Sequence, residues 1–438
     1  MSGDRPTHIK RNVALKRVLI VSPNWPPVTY PDMQRARMAC AHLHKFGWEP
    51  LILTVNPDAQ IGPKDPLLVE TLPKDLRVWR AGSLPVSLTS LVGVGNVGLR
   101  SYLQLARLGA RIIEQEHPSV VFFSTTMFAL FALGPRWRAA FGIPYVLDYQ
   151  DPWVSERPLP PPTSVRAIKR QLVDLLARAS EPAVVRAAAH IVSVSPAYPA
   201  ALRARYPDLT SERFTVLPFG AAETDLALAA RDGVRQAVYE PGDGFLHWVY
   251  TGRGGADLAA AARPFFLALA RARDIDPAGT QRVRVHLVGT DYSDKGHRTF
   301  DSLAAQCGVG DLVSEHPKRI TYFESLRCLQ DADALLIFGS DDPGYTASKI
   351  YPYVLARKPL LIVCHAGSSM VDLVDRTRCG TLIAFGPDEP AAAVAERILQ
   401  AWFAKGTMPN SVTDWSKFER YSARSMTQAL CGIFDRIA

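Results

Sequence analysis

The sequence is poor in cysteine and contains no long apolar run, and both shortages exclude classes of protein. The six cysteines among 438 residues show neither C-x-x-C spacing nor a neighbouring histidine cluster, so neither a zinc site nor a disulfide framework is predicted. No apolar run approaches the roughly 18–20 residues that span a bilayer, and the apolar stretch near the basic start is too short for a signal peptide. We therefore expect reduced thiols, no metal site and a cytoplasmic protein.

Acidic residues are scarce in the first half of the chain. Residues 1–220 contain 26 Lys and Arg against 16 Asp and Glu, whereas the remaining residues contain 24 against 26. A basic half beside a near-neutral half suggests contact with an anionic surface. Composition alone leaves nucleic acid, anionic lipid and a merely soluble surface open.

Short Val-, Ile- and Leu-rich runs alternate with longer amphipathic segments, which is typical of βαβ units and parallel sheets. The alternation runs from RVLIVSP (17–23) to FTVLPFG (214–220) and resumes from FLHWVYTG (245–252) to GTLIAFG (380–386). A polar segment with Gly and Pro at about 226–244 reads as a linker. The sequence therefore predicts two doubly wound α/β domains in tandem, followed by a helical segment at 414–437 that can pack back on the first domain.

Glycine-rich segments occur at two places, and only one follows a predicted strand. GVGNVG (93–98) fits G-x-G-x-x-G but follows a Ser-rich, proline-broken segment, so we interpret it as a loop. In YTGRGGADLAAAARPFF (250–266) a strand ends before three glycines, Arg253 supplies a cation and Asp257 can cap the next helix. This pattern favours phosphate binding, and a plain turn with a solvated arginine is the alternative.

A second cation, Lys349, follows the predicted strand at 333–340. Two cations on neighbouring loops of one sheet can neutralise a diphosphate without metal. Pro352 interrupts the helical pattern just after this lysine, and proline is tolerated only near a helix start. We therefore expect the helix to begin late, near Tyr351–Pro352, or to begin at Ser348 with a distorted first turn, with Lys349 pointing into the cleft.

Carboxylates follow a buried strand in the first half. The segment LDYQDPW (147–153) places Asp148 and Asp151 at the end of that strand. Carboxylates at such a position can orient sugar hydroxyls or act as acid or base. The alternative is that one of them caps a turn before Pro152.

Six segments together are similar to bacterial glycosyltransferases of the GT-B fold, in particular glycosyltransferase family 4. They are PNWPPVTYPDMQRARMACAHLHKFGWEPLILT (23–54), IPYVLDYQDPW (143–153), HIVSVSPAYPAALRARYP (190–207), VLPFG (216–220), YTGR (250–253) and SKIYPYVLARKP (348–359). The resemblance implies two Rossmann-like domains that face a cleft. Residues 1–225 would bind the acceptor, residues 245–405 would bind the nucleotide sugar, and the helix in 413–438 would cross back to the first domain.

The resemblance also implies roles for individual residues. The donor site would comprise Gly252, Arg253, Gly254, Thr290, Tyr322, Ser348 and Lys349, with RITYFES (319–325) beside the base. The acceptor site would comprise Arg35, Asp148, Gln150 and Trp153. The catalytic residues would be Asp148, Asp151, Arg253 and Lys349, without cofactor or metal.

This sequence departs from the family pattern at two places. PDMQR stands where paired glycines usually precede Arg35, which weakens a backbone contact to phosphate. Gly344 and Pro352 stand where two glutamates eight residues apart are common. The second of these glutamates commonly holds the ribose hydroxyls.

The implied function is transfer of a sugar from a UDP- or GDP-sugar to a glycan or lipid-linked acceptor in cell-surface polysaccharide or glycolipid synthesis. Retention of configuration, independence from metal and no nucleic-acid partner are expected with it. A degenerate relative that binds nucleotide or a partner without transfer, and a nucleotide-sugar epimerase, remain alternatives. The segment 164–188 carries Arg166, Lys169, Arg170 and Arg178 beside an apolar stripe, which indicates either peripheral contact with the inner face of the cytoplasmic membrane or an ordinary surface helix.

Overall fold

A computed structural model describes residues 15–60, 62–89, 95–154, 161, 163–291, 296–344, 348–403, 409 and 412–438. All six cysteines fall within these ranges as free thiols, and five of them are buried. No helix of the described ranges is both long enough and apolar enough to cross a bilayer.

The first sheet is built from the N-terminal half of the chain. Its strands are β1 (Lys16–Val21), β2 (Trp48–Val55), β3 (Arg77–Ala81), β4 (Val120–Ser124), β5 (Tyr145–Tyr149), β6 (His190–Ser193) and β7 (Phe214–Val216). They pair in parallel in the order β3-β2-β1-β4-β5-β6-β7. Strands β4 and β5 are buried along their whole length, as continuous apolar runs predict for parallel strands covered on both faces.

The second sheet has the same architecture. Its strands are β8 (Leu246–Thr251), β9 (Val283–Val288), β10 (Val313–His316), β11 (Ala334–Phe338), β12 (Leu360–His365) and β13 (Thr381–Phe385). They pair in parallel in the order β10-β9-β8-β11-β12-β13. The predicted fold class is confirmed: two doubly wound parallel sheets follow each other along the chain. Because β8 and β11 are neighbours, the loops that follow them lie side by side.

Helices link the strands in both halves. They are α1 (Gln34–Cys40), α2 (Leu67–Glu70), α3 (Val86–Thr89), α4 (Val97–Arg100), α5 (Tyr102–Glu116), α6 (Leu133–Phe141), α7 (Val165–Ala187), α8 (Ala197–Arg205), α9 (Glu223–Ala229), α10 (Ala259–Ile275), α11 (Pro277–Gln281), α12 (Thr299–Gln306), α13 (Tyr322–Asp331), α14 (Ile350–Leu355), α15 (Ser369–Thr377), α16 (Ala391–Ile398), α17 (Trp415–Phe418) and α18 (Ala423–Ile437).

The final helix, α18, crosses back to the first sheet, as expected. The ring of Phe434 lies 5.3 Å from that of Trp48 on β2 and 5.6 Å from that of Phe122 on β4. The backbone on either side of Ala221 is joined to the start of α18 by two hydrogen bonds, from Ala221 N to Tyr421 O and from Ala423 N to Ala221 O, both 2.8 Å. The C-terminal helix is therefore part of the N-terminal core.

Three details differ from the expected elements. The predicted linker at 226–244 begins inside a helix, because α9 extends to Ala229 and packs on α13 through a hydrogen bond from Gln330 to the carbonyl of Leu226. The segment 33–46, whose apolar residues have helical spacing, does not form one helix: α1 ends at Cys40, and a 3₁₀ turn follows that is capped by Gly47 in a left-handed conformation. In GVGNVG, Asn96 caps the short helix α4, and Gly93 and Val94 lie outside the described residues.

Candidate active site

A cavity of about 320 Å³ lies between the two halves of the molecule. The first half contributes residues within 29–38 and 219–226, and the second half contributes residues within 251–253, 288–289, 319–329 and 348–353. The lining residues of the second half lie at or beyond the carboxyl ends of the second sheet's strands, where α/β sheets bind their ligands. The cavity therefore lies where a parallel α/β sheet usually binds its ligand.

The loop after β8 brings backbone close to this cavity. Gly252 has a φ of 138°, and a Cβ there would lie 2.8 Å from the Nζ of Lys349. The N–H of Gly254 donates to the carbonyl of Thr290 at 2.7 Å, and a Cβ on Gly254 would meet that residue at 3.1 Å. Both glycines are thus required by conformation or by close approach.

Arg253 lines the cavity and is paired with Asp257. Two hydrogen bonds, of 2.9 and 2.6 Å, join the guanidinium to the two carboxylate oxygens. The hydrogen bonds and charge of Arg253 lower the pKa of Asp257. An incoming anion would have to share Arg253 with this carboxylate.

Lys349 lines the same cavity from the other side of the loop. It is the N-cap of α14, which begins at Ile350, so Pro352 is the third helical residue and the helix needs no N–H there. The helix thus begins late, one residue before the expected start. The ammonium of Lys349 donates to the hydroxyl of Tyr250 at 2.5 Å, and burial, together with the charge of Arg253, lowers its pKa well below the ordinary value.

The other expected donor residues divide into two groups. Ser348 and Tyr322 line the cavity with Gly252; the Tyr322 hydroxyl donates to Asp225 at 2.8 Å. Thr290 is not among the lining residues: it lies behind the glycine loop, where its hydroxyl donates to Glu315 at 2.6 Å. Thr290 therefore supports the loop, as Gly254 does, and does not itself face the cavity.

The expected acceptor residues form a buried network beside β5. The Nε of Arg35 donates to Asp148 at 2.8 Å, and the side-chain amide of Gln150 donates to the same oxygen at 2.8 Å. Asp148 is fully buried, and Arg35 also donates to the carbonyls of Leu217 and Pro218. None of these three side chains lines the cavity. The structure brings these three residues together, but their polar groups are largely engaged with each other.

Asp151 and Trp153 lie at the edge of this network. Trp153 stacks on Phe128 with a centroid distance of 5.8 Å, whereas Asp151 is exposed. The surrounding protein and the carboxylate of Asp32 raise the pKa of Asp151 to about 6. Asp151 is therefore an exposed carboxyl group with a raised pKa, and neither Asp151 nor Trp153 lines the cavity.

Two residues near the site were missed by sequence reasoning. Asp32 in the first loop turns into the protein, where it accepts hydrogen bonds from Asn24 and Thr125, so the loop presents Tyr30 and Pro31 to the cavity instead. Tyr250 was read as part of an apolar strand, although its hydroxyl contacts Lys349. No pattern in a single sequence distinguishes such a tyrosine from a core residue.

The N-terminal half of the chain resembles a known family of domains. Residues 34–220 match the family model described as a glycosyl transferase 4-like domain. Within its N-terminal half, this chain is thus similar to a glycosyl transferase 4-like domain. This match covers Arg35, Asp148 and Gln150, and it confirms the resemblance to family 4. No curated protein matches the sequence.

Solved structures match this chain along nearly its whole length. A glycosyltransferase from Rickettsia africae is 14% identical, with a TM-score of 0.59 and coverage of 97% of this chain and 98% of that one. HepE from Anabaena, in complex with UDP and glucose, is 15% identical, with a TM-score of 0.53 and coverage of 96% and 98%. The lipopolysaccharide outer core galactosyltransferase WaaB is 12% identical, with a TM-score of 0.55 and coverage of 96% and 100%. At these identities the likeness shows the fold, which is GT-B.

Proposed function

We propose that this protein is a glycosyltransferase that binds a nucleoside diphosphate sugar in the cavity between its two sheets. The observation that carries the proposal is the pair of cations, Arg253 and Lys349, which line one cavity from two neighbouring loops. Two fixed cations suit a diphosphate, because charge-assisted hydrogen bonds to phosphate oxygens are strong and directional. The N-terminal domain match supports transfer of a sugar in particular.

The proposed chemistry is mainly electrostatic. The bond between the anomeric carbon and the diphosphate oxygen breaks, and its electron pair stays on the diphosphate, whose growing charge Arg253 and Lys349 stabilise. An acceptor hydroxyl then forms the new bond to the anomeric carbon and loses its proton. Asp151 is the carboxylate that we assign to orienting this hydroxyl or accepting its proton, because it is exposed and its pKa is about 6.

The substrate classes are proposed with the help of the structural neighbours. The Anabaena neighbour was solved with UDP and glucose, which supports a UDP-sugar as donor, and a GDP-sugar is kept as the second choice. WaaB is a lipopolysaccharide galactosyltransferase by its name, which supports a glycan or lipid-linked acceptor in cell-surface polysaccharide or glycolipid synthesis. We expect retention of configuration and no need for added metal.

A donor-hydrolysis screen tests the proposal without knowledge of the acceptor. The full chain is incubated with single UDP- and GDP-sugars, and released nucleoside diphosphate is measured in the presence of EDTA. We expect slow release from one donor, and loss of that release in Lys349→Ala. Lys45→Ala is the matched control, because Lys45 is exposed and outside the cavity. NMR of the released sugar in its first minutes reports the anomeric configuration.

A second candidate is a protein that binds nucleotide or a partner without transferring sugar. It is favoured by the commitment of Arg35 to Asp148 and two carbonyls, and by Gly344 and Pro352, which carry no polar side chain. Calorimetry against UDP and GDP separates the candidates when combined with the screen: binding without release from any donor would favour the binding protein. An epimerase would instead convert the donor sugar, which the same NMR spectra would show.

We further propose that helix α7 rests on an anionic membrane. Its apolar side chains Ile168, Leu172, Leu175 and Leu176 are 54–63% exposed, and they lie at helical spacing on one side. Lys169, Arg170 and Arg178 are exposed on the same helix; the side chain of Arg166 lies outside the described residues. Such a helix gains from apolar burial and from attraction to anionic lipid, and it would keep a cytoplasmic enzyme at the inner face of the membrane.

Vesicle flotation tests the membrane contact. We expect the full chain to float with vesicles of phosphatidylglycerol and phosphatidylcholine but not with phosphatidylcholine alone. The double variant Leu172→Ser, Leu175→Ser should lose flotation, while Leu88→Ser, which alters an exposed leucine outside α7, should keep it. Equal behaviour on both vesicles would reject the contact.

A further inference from the structure

Tyr250, the last residue but one of β8, contacts two of the three cationic residues that line the cavity, Arg253 and Lys349, without lining it. Its hydroxyl donates to the carbonyl oxygen of Arg253 at 2.6 Å and accepts a hydrogen bond from the ammonium of Lys349 at 2.5 Å. The same ammonium lies over the tyrosine ring, 3.8 Å from its centroid. Tyr250 is fully buried and is not among the described residues that line the cavity, so it acts on a ligand through its neighbours, of which these two line the cavity.

The tyrosine itself is fixed by the core. Its ring stacks on Phe338 of β11 with a centroid distance of 5.5 Å, and Phe300 meets it edge-on at 5.9 Å. A ring packed on two sides in a close-packed interior has little freedom to shift. The position of the hydroxyl is therefore set by the second sheet and not by the loop.

A second tyrosine ties the same loop to α14. The hydroxyl of Tyr353 accepts a hydrogen bond from the N–H of Thr251 at 2.6 Å and donates to the carbonyl of Thr251 at 3.0 Å. Tyr353 lies one helical turn beyond Lys349, directly after Pro352. The late start of α14 thus places Lys349 over the loop and Tyr353 against the start of the loop.

We propose that Tyr250 is a positioning residue for the diphosphate, whose hydroxyl sets the separation of Arg253 and Lys349 and presents both cations to the phosphate oxygens. The inference rests on the proposed function, because it deepens the account of the donor site. In this proposal Tyr250, a buried residue of β8, sets the spacing of the two cations. Gly252 has no Cβ and so leaves room for the ammonium of Lys349 above the loop.

The same contact makes anion binding depend on pH in a predictable direction. Burial lowers the pKa of Lys349, and a hydrogen bond from the ammonium to Tyr250 opposes that shift, because it stabilises the charged form. Anion binding needs the charged form, so affinity falls as pH rises through the pKa of the lysine. Without the hydroxyl, the fall should begin at a lower pH.

Isothermal calorimetry with inorganic pyrophosphate tests the proposal on the full chain, because pyrophosphate needs no knowledge of the base or the sugar. Tyr250→Phe removes the hydroxyl and keeps the ring. We expect its Kd to rise about tenfold, the size of one lost charge-assisted hydrogen bond, and its pH profile to break at a lower pH. Tyr145→Phe is the matched control, because that hydroxyl is also buried and donates to a backbone carbonyl at 2.6 Å, in the first sheet.

A double-mutant cycle shows whether Tyr250 acts through the lysine. In Lys349→Met, which leaves no ammonium to hold, the further change Tyr250→Phe should add little to the Kd. A full additional tenfold loss would assign the effect to the loop backbone alone and overturn the part of the proposal that concerns Lys349.

The outcomes separate this inference from the proposed function. If the wild type binds neither pyrophosphate, UDP nor GDP, the donor site itself is wrong. If the wild type binds pyrophosphate and Lys349→Met abolishes binding, but Tyr250→Phe keeps the wild-type Kd and pH profile, only the role of Tyr250 is overturned. Should Tyr250→Phe fail to fold, lysine-selective NMR of the wild type decides: the signal lost in Lys349→Met must be shifted upfield by the ring, and an unshifted signal overturns the proposal.

Discussion

The two halves of the molecule hold the charged residues of their sites in different ways. In the first half, Arg35 and Asp148 neutralise each other, with 5% and 0% of their surfaces exposed, and the carbonyls of Leu217 and Pro218 accept two further hydrogen bonds from the guanidinium. In the second half, Arg253 and Lys349 line a cavity, and the side-chain contact of Lys349 is a neutral phenol. A buried charge paired internally serves the fold, whereas Lys349, which contacts a neutral phenol, and Arg253, whose carboxylate partner is partly exposed, are more available to an anion.

The largest expected effect concerns the buried ion pair of the first half, Arg35 and Asp148. Asp148→Ala leaves the guanidinium of Arg35 buried without its carboxylate, so we expect a loss of about 3–5 kcal/mol in the free energy of unfolding. Urea unfolding followed by circular dichroism measures it. The double variant Arg35→Met, Asp148→Ala should recover part of the loss, since it leaves no unpaired charge. If Asp148→Ala were fully stable but inactive, Asp148 would act in the reaction and would not stabilise the fold.

The second largest effect concerns Lys349, a cavity cation of the second half. Lys349→Met should lower the turnover of donor by about 10²–10³-fold, the usual effect of removing one electrostatic contact to a developing charge. Its free energy of unfolding should not fall, because burying an ammonium is costly and methionine is apolar. Initial rates of nucleoside diphosphate release, with urea unfolding on the same samples, check both parts. Loss of stability in parallel with activity would make Lys349 a structural residue like Arg35.

Much of this fold could be predicted from sequence, because strands buried on both faces are continuous apolar runs. Strand β10 is an exception, because its sequence VSEH is short and polar and places Glu315 inside the strand. That carboxylate is buried and accepts the N–H groups of Phe300 and Asp301 at the start of α12. A buried acid satisfied by a distant helix start gives no local signal in the sequence.

The candidate site was predictable where it depends on topology and unpredictable where it depends on side-chain pairing. Arg253 and Lys349 were placed together because they follow strands β8 and β11, which are neighbours in the sheet. The mutual commitment of Arg35 and Asp148, the placement of Thr290 behind the loop, and the contact of Tyr250 with Lys349 arise from tertiary packing. Spacing along a chain does not encode those contacts.

A smaller effect would sharpen the comparison by removing the internal partner of a cavity cation. Asp257→Asn keeps the shape of the side chain but removes the negative charge beside Arg253, with which an incoming diphosphate must compete. We expect the Kd for pyrophosphate to fall by about threefold, a modest change because this ion pair is partly exposed and screened. Calorimetry at low and high salt measures it, and Asp274→Asn, outside the cavity lining, is the control. Weaker binding would mean that Asp257 positions Arg253 and does not compete for it.

The smallest expected effect concerns Asp151. This residue belongs neither to the buried ion pair nor to the cavity cations, since it is acidic, exposed and next to the buried network. Its pKa in the folded protein, about 6, lies above the ordinary value of 3.8. The folded state therefore binds a proton more tightly than the unfolded chain, and the stability this gives is present below pH 3.8 and is lost as pH rises through 6. Asp151→Asn should thus raise the melting temperature slightly at pH 8 relative to wild type, and this gain should disappear at pH 4.

If Asp151 also acts as a carboxylate toward the acceptor, the transfer rate of the wild type should fall below pH 6, and the variant should be slow with a flat profile. A wild-type rate that is flat from pH 5 to 8 would leave Asp151 with the stability effect alone and would move the acceptor contact to another residue.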